Sequence, residues 1–174
     1  MRIGLLSDTH GFLDKAVFQH FAQCDEIWHA GDFGTNDVLH ELQAFKPTRG
    51  VYGNVDGADL RLEVPPEATW EAGGMNVYMT HIGGRPGHYE RGVKERLMQK
   101  SPDLFICGHS HILAVIRDPS LGLLYMNPGA SGHKGWHNVR TLLRFSIEGG
   151  KVSDCHAIEL GPRGTVKPKA SRRE

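Results

Sequence analysis

The sequence predicts an α/β chain in which two sheets pack face to face with helices on the outside. Three observations lead there. Short apolar runs alternate with amphipathic segments over residues 2–52, which is the βαβαβ pattern of a parallel sheet. After Pro65-Pro66 the pattern turns to successive β-like runs with a single charged helix. Six of the apolar runs end directly in Gly, Asp, Asn or His, as strands do when they deliver side chains to a common crevice.

Taken in order, residues 2–7 form a short buried strand that stops at Asp8. Residues 14–23 set Ala16, Val17, Phe18 and Phe21 at near-helical spacing behind a cap at Asp14. Glu26-Ile27-Trp28-His29-Ala30 is a strand ending at Gly31-Asp32. Residues 35–45 are helical, capped by Thr35 or Asn36, with Val38, Leu39, Leu42 and Phe45 facing inward. Residues 48–52 make a third strand, ending at Gly53-Asn54. The runs 68–72 and 75–80, split by Gly73-Gly74, read as a hairpin. Residues 88–100 are expected as a charged helix with Val93, Leu97 and Met98 toward the core. Residues 104–107, 112–117, 122–126, 139–147 and 151–159 read as strands. A single domain over residues 1–160 is expected, followed by a basic, disordered tail at 161–174 that could also act as a weak phosphate-steering arm.

Composition narrows the function. The 174 residues carry 20 Lys+Arg against 20 Asp+Glu, so no net field draws a polyanion and no stable nucleic-acid complex is expected. No apolar run approaches the ~18 residues of a membrane span. The N-terminal Met1-Arg2-Ile3 meets charge too early for a secretory signal. Three cysteines at no metal-knuckle spacing make a disulfide framework improbable, and a reducing cytoplasm is the expected compartment. Two excesses need a cause: 22 glycines, nearly twice the average share of ~7%, and 11 histidines.

Both gather at the strand ends. There stand Asp8, His10, Asp32, Asn54, His81, His109 and His111, seven good metal ligands beside glycines that permit tight turns. Mixed imidazole and carboxylate donors suit Zn, Mn, Fe or Ni better than Mg or Ca alone. Seven ligands exceed what one ion with an open position needs, and fit two ions sharing a bridging carboxylate. His109-x-His111 is the more specific pair, because a period of two sets both rings on one side.

The order Asp8-x-His10, Gly31-Asp32, Gly53-Asn54, His81, Gly108-His109-x-His111 resembles the calcineurin-like metallophosphoesterases. With His29-Ala30-Gly31-Asp32, Asn127-Pro128-Gly129 and the chain length, it is most similar to the small phosphodiesterases of the YfcE type. The resemblance implies a four-layer α/β/β/α sandwich of two mixed sheets. It implies two divalent transition-metal ions, Mn²⁺ foremost and Ni²⁺, Zn²⁺ or Fe²⁺ as alternatives. Asp8, His10 and His111 would hold one ion, Asn54, His81 and His109 the other, and Asp32 would bridge them. A hydroxide between the ions would then attack a small phosphodiester substrate. Phosphomonoester hydrolysis, a non-catalytic interaction scaffold and hydrolysis of another ester or amide are the alternatives. Members are often dimers or larger, so a homo-oligomer is compatible.

One position departs from the family. Many members carry His after the Asn of the Gly-Asn motif, and Val55 stands there instead. The expected general acid is therefore sought elsewhere, at His88 first, with His133 and His137 as further candidates. Asp56 is counted with His88 among the catalytic candidates, and Asp56 and His29 are the expected partners that orient the metal ligands. Trp28, Trp70 and Phe105 are expected in the core, and Trp136 in a Gly- and His-rich loop, with a rim contact to substrate or partner as the alternative to a plain loop position.

Overall fold

A computed structural model describes residues 1–164; the rest of the predicted tail, 165–174, lies outside the described residues. Hydrophobic alternation along each strand builds three apolar layers between four structural ones. In β1 (Arg2–Leu6), Ile3 and Leu5 point to the centre of the molecule while Leu6 points the other way. The same period of two recurs in β2 (Glu26–His29), where Trp28 faces in and Ile27 out, and in β3 (Thr48–Gly50) the strand is too short to add more than an edge.

The first sheet has the order β12-β11-β1-β2-β3, with β1, β2 and β3 parallel and β11 (Val139–Glu148) and β12 (Lys151–Pro162) antiparallel. The second has the order β4-β5-β8-β10-β9. Its strands are β4 (Glu67–Ala72), β5 (Met75–Thr80), β8 (Leu104–Ile106), β9 (Leu113–Asp118) and β10 (Leu123–Pro128). Here β5, β8 and β10 run parallel, and β4 and β9 close the edges antiparallel. Val77, Met79, Leu104, Ile106 and Met126 meet Ile3, Leu5, Trp28 and Phe145 between the sheets. Each such fully buried side chain is worth about 1.5–3 kcal/mol.

The outer faces are covered by helices. On the first sheet α1 (Lys15–His20), α2 (Asn36–Phe45) and α3 (Ala58–Glu63) bring Val17, Val38, Leu39, Leu42 and Leu60 onto Leu6, Ile27 and Leu142. On the second, α4 (Val93–Lys100) seats Val93 and Leu97 on Tyr78, Phe105 and Tyr125. The arrangement is the α/β/β/α sandwich. Asp14 caps α1 as the sequence indicates, accepting from Ala16 N–H at 2.9 Å, and also pairs with Arg140 of β11 at 2.6 Å. Among the described residues no helix is long and apolar enough to cross a membrane.

Three expectations are corrected. The helix expected at 88–100 begins only at Val93, because His88–Tyr89 (β7) folds back on Gly84–Arg85 (β6) as a two-stranded ribbon around the Pro86-Gly87 turn. Met98 lies on the solvent side of that helix, 62% exposed. Strand β12 runs to Pro162, so the expected tail begins inside the sheet, where Arg140 N–H groups bond the carbonyls of Leu160 and Pro162. Helix α3 escapes the apolar-period reading because Leu60 alone is buried and Leu62 is 88% exposed.

Gly4 lets helix α1 and the first sheet approach closely: a Cβ there would lie 2.5 Å from the buried Phe21 ring that follows the helix. Gly4→Ala is expected to destabilise by about 1–3 kcal/mol through overpacking. Urea unfolding checks this, with a lower midpoint at unchanged slope as the expected result.

Candidate metal centre

The parallel strands of both sheets end on the same side, and their last residues meet there. Asp8 and His10 follow β1, Asp32 follows β2, Asn54 follows β3, His81 follows β5, and His109 and His111 follow β8. His10, Asp32, Asn54, His109 and His111 line one cavity of about 570 Å³. Asp8 and His81 lie beneath them, 0% and 2% exposed.

The side chains fall into two groups able to hold a cation. Asp8, His10 and His111 form one and Asp32, His81 and His109 the other, with the donor atoms of each group within 4.8 Å of one another. The groups adjoin. Asp32 Oδ2 is 3.3 Å from His81 Nε2 and 4.0 Å from His10 Nε2, so it reaches both. Asp8 Oδ1 stands 3.1 Å from His111 Nε2 and 3.9 Å from His10 and His81 Nε2. Buried Asp8 Oδ1 and His81 Nε2 have no hydrogen-bond partner, and both aim into the cluster. Orphaned donor atoms of this kind, nitrogen and oxygen mixed, are what a divalent transition metal would satisfy. The residues fit such ions.

Backbone conformation is spent on this arrangement. Among the described residues seven non-glycine residues have positive φ, and five of them are Asp8 (55°), His10 (50°), Asp32 (59°), His109 (65°) and His111 (58°). Such conformations cost about 1–3 kcal/mol each and persist where the surroundings over-determine them. Here Asp8 N–H donates to Gly31 O at 2.9 Å, His10 N–H to Asp32 O at 3.0 Å and His109 N–H to Asp8 Oδ2 at 3.1 Å. Two glycines make room: a Cβ at Gly31 would strike the His81 ring at 2.4 Å, and one at Gly53 would strike Asp32 Oδ1 at 2.0 Å.

The rings are held in chosen tautomers. His81 Nδ1 donates to Ala30 O at 2.8 Å, which leaves the Nε2 lone pair facing the carboxylates. His137 Nε2 donates to Gly132 O at 3.1 Å, so its Nδ1 can only accept, from His111 Nδ1 at 3.1 Å. His111 Nε2 is thereby left as a lone pair toward Asp8 and His10. His29 Nδ1 accepts from Gly31 N–H at 3.2 Å and its Nε2 faces Thr9 Oγ1 at 3.0 Å. Complete burial lowers the His29 pKa to about 3, so this ring stays neutral and pins the Asp32 loop. Burial would raise the Asp32 carboxyl, but a proton taken up on His81 Nε2, 3.3 Å away, and the Val55 N–H outweigh it and hold it below its usual range, so that proton and a cation compete for one nitrogen. The same pairing raises His81 against its own burial.

Other expected residues are placed differently. Asp56 does not face the cavity. Its oxygens accept from the N–H groups of Phe33 (3.2 Å), Gly34 (2.7 Å) and Gly53 (2.7 Å), so it ties the Asp32 loop to the Asn54 loop and is no proton donor to substrate. His88 lies on the exposed β6–β7 ribbon, beside a second cavity that shares only Ser110 with the first. His133 packs on Phe12 and bonds Arg163 O. Missed by the sequence reading were Lys134 at the cavity wall and the binding role of Asn127. Asn127 Nδ2 grips Gly108 O at 2.8 Å and Ser110 Oγ at 3.1 Å, fixing the loop that carries His109 and His111. The Asn-Pro-Gly motif held that signal for Asn127; nothing local marked Lys134.

The family model of the calcineurin-like phosphoesterase superfamily domain matches residues 1–150. This chain belongs to that superfamily. It is 31% identical over 141 residues to a protein of Methanothermobacter thermautotrophicus described as a probable metallophosphoesterase, covering 75% of this chain and 77% of the relative. It is 25% identical over 147 residues to the phosphodiesterase MJ0936 of Methanocaldococcus jannaschii, covering 74% and 83%. Among solved structures, wild-type Vps29 of Entamoeba histolytica in complex with Zn²⁺ superimposes with a TM-score of 0.70 at 15% identity, over 91% of this chain and 99% of that one. The phosphoesterase fold is thus common to all of these.

Two outcomes follow from the hydrogen bonds of this calcineurin-like domain. Removing the His111 partner in His137→Ala is expected to weaken divalent-ion affinity by about 10–100-fold, with His137→Gln losing less because its amide can both accept and donate. Competition against a chromogenic chelator measures this. Separately, a histidine lowered from 6.5 to about 3 contributes stability that is present above 6.5 and lost as pH falls through that window, because the unfolded chain binds the proton first. Chelator-treated protein should lose thermal stability from neutral pH to pH ~4.5, and His29→Gln should flatten the slope.

Proposed function

We propose that the chain is a dinuclear metal-dependent phosphodiesterase. In this reading Asp8, His10 and His111 hold one ion, Asn54, His81 and His109 the other, and Asp32 lies between them. The observation that carries it is the reach of Asp32 Oδ2 to both His10 and His81 inside a cavity open to substrate. A bound pair of divalent ions supplies a water of lowered pKa and a clamp on the phosphoryl oxygens for in-line displacement. The family resemblance makes Mn²⁺ the first choice, and the nitrogen–oxygen donor set also suits Ni²⁺, Zn²⁺ and Fe²⁺.

The chain's own part is positioning. The Nδ1 hydrogens of His81 and His111 are committed to Ala30 O and His137, which directs Nε2 of each ring at the cluster. Val55 donates its N–H to Asp32 Oδ1 at 3.0 Å and so fixes the bridging carboxylate, while its half-exposed side chain offers the leaving group no proton. General acid help is worth about 10²–10⁴-fold, so esters with good leaving groups gain most from this pocket. Lys134 is the single Lys or Arg among the cavity's lining residues. One ammonium suits the single charge of a diester better than the double charge of a monoester. The three cysteines, unpaired and two of them buried, suit a reducing cytoplasm.

The test is metal analysis of chelator-stripped and reloaded protein, paired with hydrolysis of bis-p-nitrophenyl phosphate and p-nitrophenyl phosphate under Mn²⁺, Ni²⁺, Zn²⁺ and Mg²⁺. Diester turnover above monoester turnover is expected, with about two ions bound, as a two-metal site requires. Asp32→Ala should lose more than about a hundredfold, consistent with several kcal/mol of lost charge stabilisation. Full loading without hydrolysis would return the chain to the scaffold reading, and an Asp32→Ala as active as the parent would overturn the role given to Asp32 and with it the dinuclear site.

A further inference from the structure

The loop from Gly132 to His137 is tied down at both ends and in the middle, yet presents one aromatic ring to solvent. At its start Gly132 N–H donates to Asp8 O at 3.0 Å. At its end His137 bonds both His111 and Gly132. Between them Gly135 lies so close to the His111 ring that a Cβ would fall 2.0 Å from Nδ1, and its carbonyl accepts from Arg163. Such a loop presents its remaining side chains in fixed places. Those are Lys134 and Trp136, both on the wall of the cavity that holds His10, Asp32 and His111.

Trp136 is 97% exposed, the largest exposure among the described large hydrophobic residues. Trp28 and Trp70, by contrast, meet edge to face at 4.9 Å at the core between the sheets. An indole that packs on nothing contributes nothing to folding. Its flat face becomes useful when a group enters the cavity. Lys134 lines the same cavity as His10, Asp32 and His111, so its ammonium stands at the mouth of the cluster. An indole alone would also accept a quaternary ammonium, but a lysine two residues away disfavours a cationic substituent and favours an anion.

We propose that Trp136 and Lys134 form a substrate-recognition wall for phosphodiesters that carry a planar aromatic group. The ring stacks on the indole, and the ammonium pairs with the phosphate. This deepens the phosphodiesterase reading and rests on it. Two sources supply the chemistry, a simple aryl group or a nucleobase, and the test separates them.

The metal-loaded protein is assayed with three diesters that share a p-nitrophenolate leaving group and differ in the retained group: methyl, p-nitrophenyl and thymidine 5′-yl. The kcat/KM of an aromatic diester relative to the methyl diester is the readout. Trp136→Ala should lower that ratio about tenfold, the scale of one stacked base, and Trp136→Phe should keep most of it. A loss confined to the thymidine ester assigns a nucleobase, and a loss shared by both aromatic esters assigns any aryl group. An unchanged ratio overturns the proposal. Should no diester be hydrolysed, the phosphodiesterase reading fails, and indole fluorescence then decides the wall alone, with Trp136→Phe as background. Quenching by thymidine 5′-phosphate but not by ribose 5-phosphate upholds it, and equal or absent responses sink it.

Discussion

Two carboxylates withdrawn from water set the terms for this molecule. Asp8 and Asp32 are 0% and 2% exposed, and among the described residues no Lys or Arg pairs with either. Isolated buried charges cost far more than a domain's net stability, so each oxygen must find a positive partner. One oxygen of each is answered by backbone: Asp8 Oδ2 by His109 N–H and Asp32 Oδ1 by Val55 N–H. The other two face the imidazoles of His10, His81 and His111. The fold thereby leaves two anionic oxygens and a ring of nitrogen lone pairs pointing at one small volume. Divalent cations would satisfy that pattern.

The sandwich can sustain such a centre because three apolar layers lie beneath it and because its carriers are loops locked from behind. His29, Asp56, Asn127 and His137 do that locking. Each is buried, and each spends its polar atoms on the main chain or on another ring behind the cavity. The Asp8 to His109 bond spans 101 residues and joins a strand end of one sheet to a strand end of the other. The left-handed conformations of the ligand residues belong to the same design, since five of them could not persist without this support.

Much of this is legible in the sequence, for a physical reason. Apolar runs and strand-end residues are local signals, so the buried strand at 2–7, the Gly73-Gly74 hairpin and the placement of all seven ligand candidates at strand ends are legible directly. The errors fall where tertiary partners decide. The helix expected over 88–100 is too long at its start because His88 and Tyr89 are polar enough to read as helix surface, and only pairing across Pro86-Gly87 makes them a ribbon. Asp56 is expected among the catalytic groups, whereas three N–H groups consume its oxygens, two from the distant Phe33-Gly34 loop and one from Gly53 of its own. Lys134 could not be found at all, because its place on the cavity wall depends on how the 132–137 loop closes over His111.

Val55 shows how the centre separates structure from selectivity. What residue 55 owes the site is its backbone N–H, given to Asp32 Oδ1, and any residue but proline can give that. Its side chain is consequently free of the ligand geometry and stands half exposed at the cavity. A valine there neither donates a proton nor adds charge. In the proposed reading the carboxylate and imidazole framework would set what the centre polarises, and the walls at residues 55, 134 and 136 would set which ester reaches it. A substrate that needs no proton for its leaving oxygen, carries one negative charge and offers surface to an indole would satisfy all three walls at once.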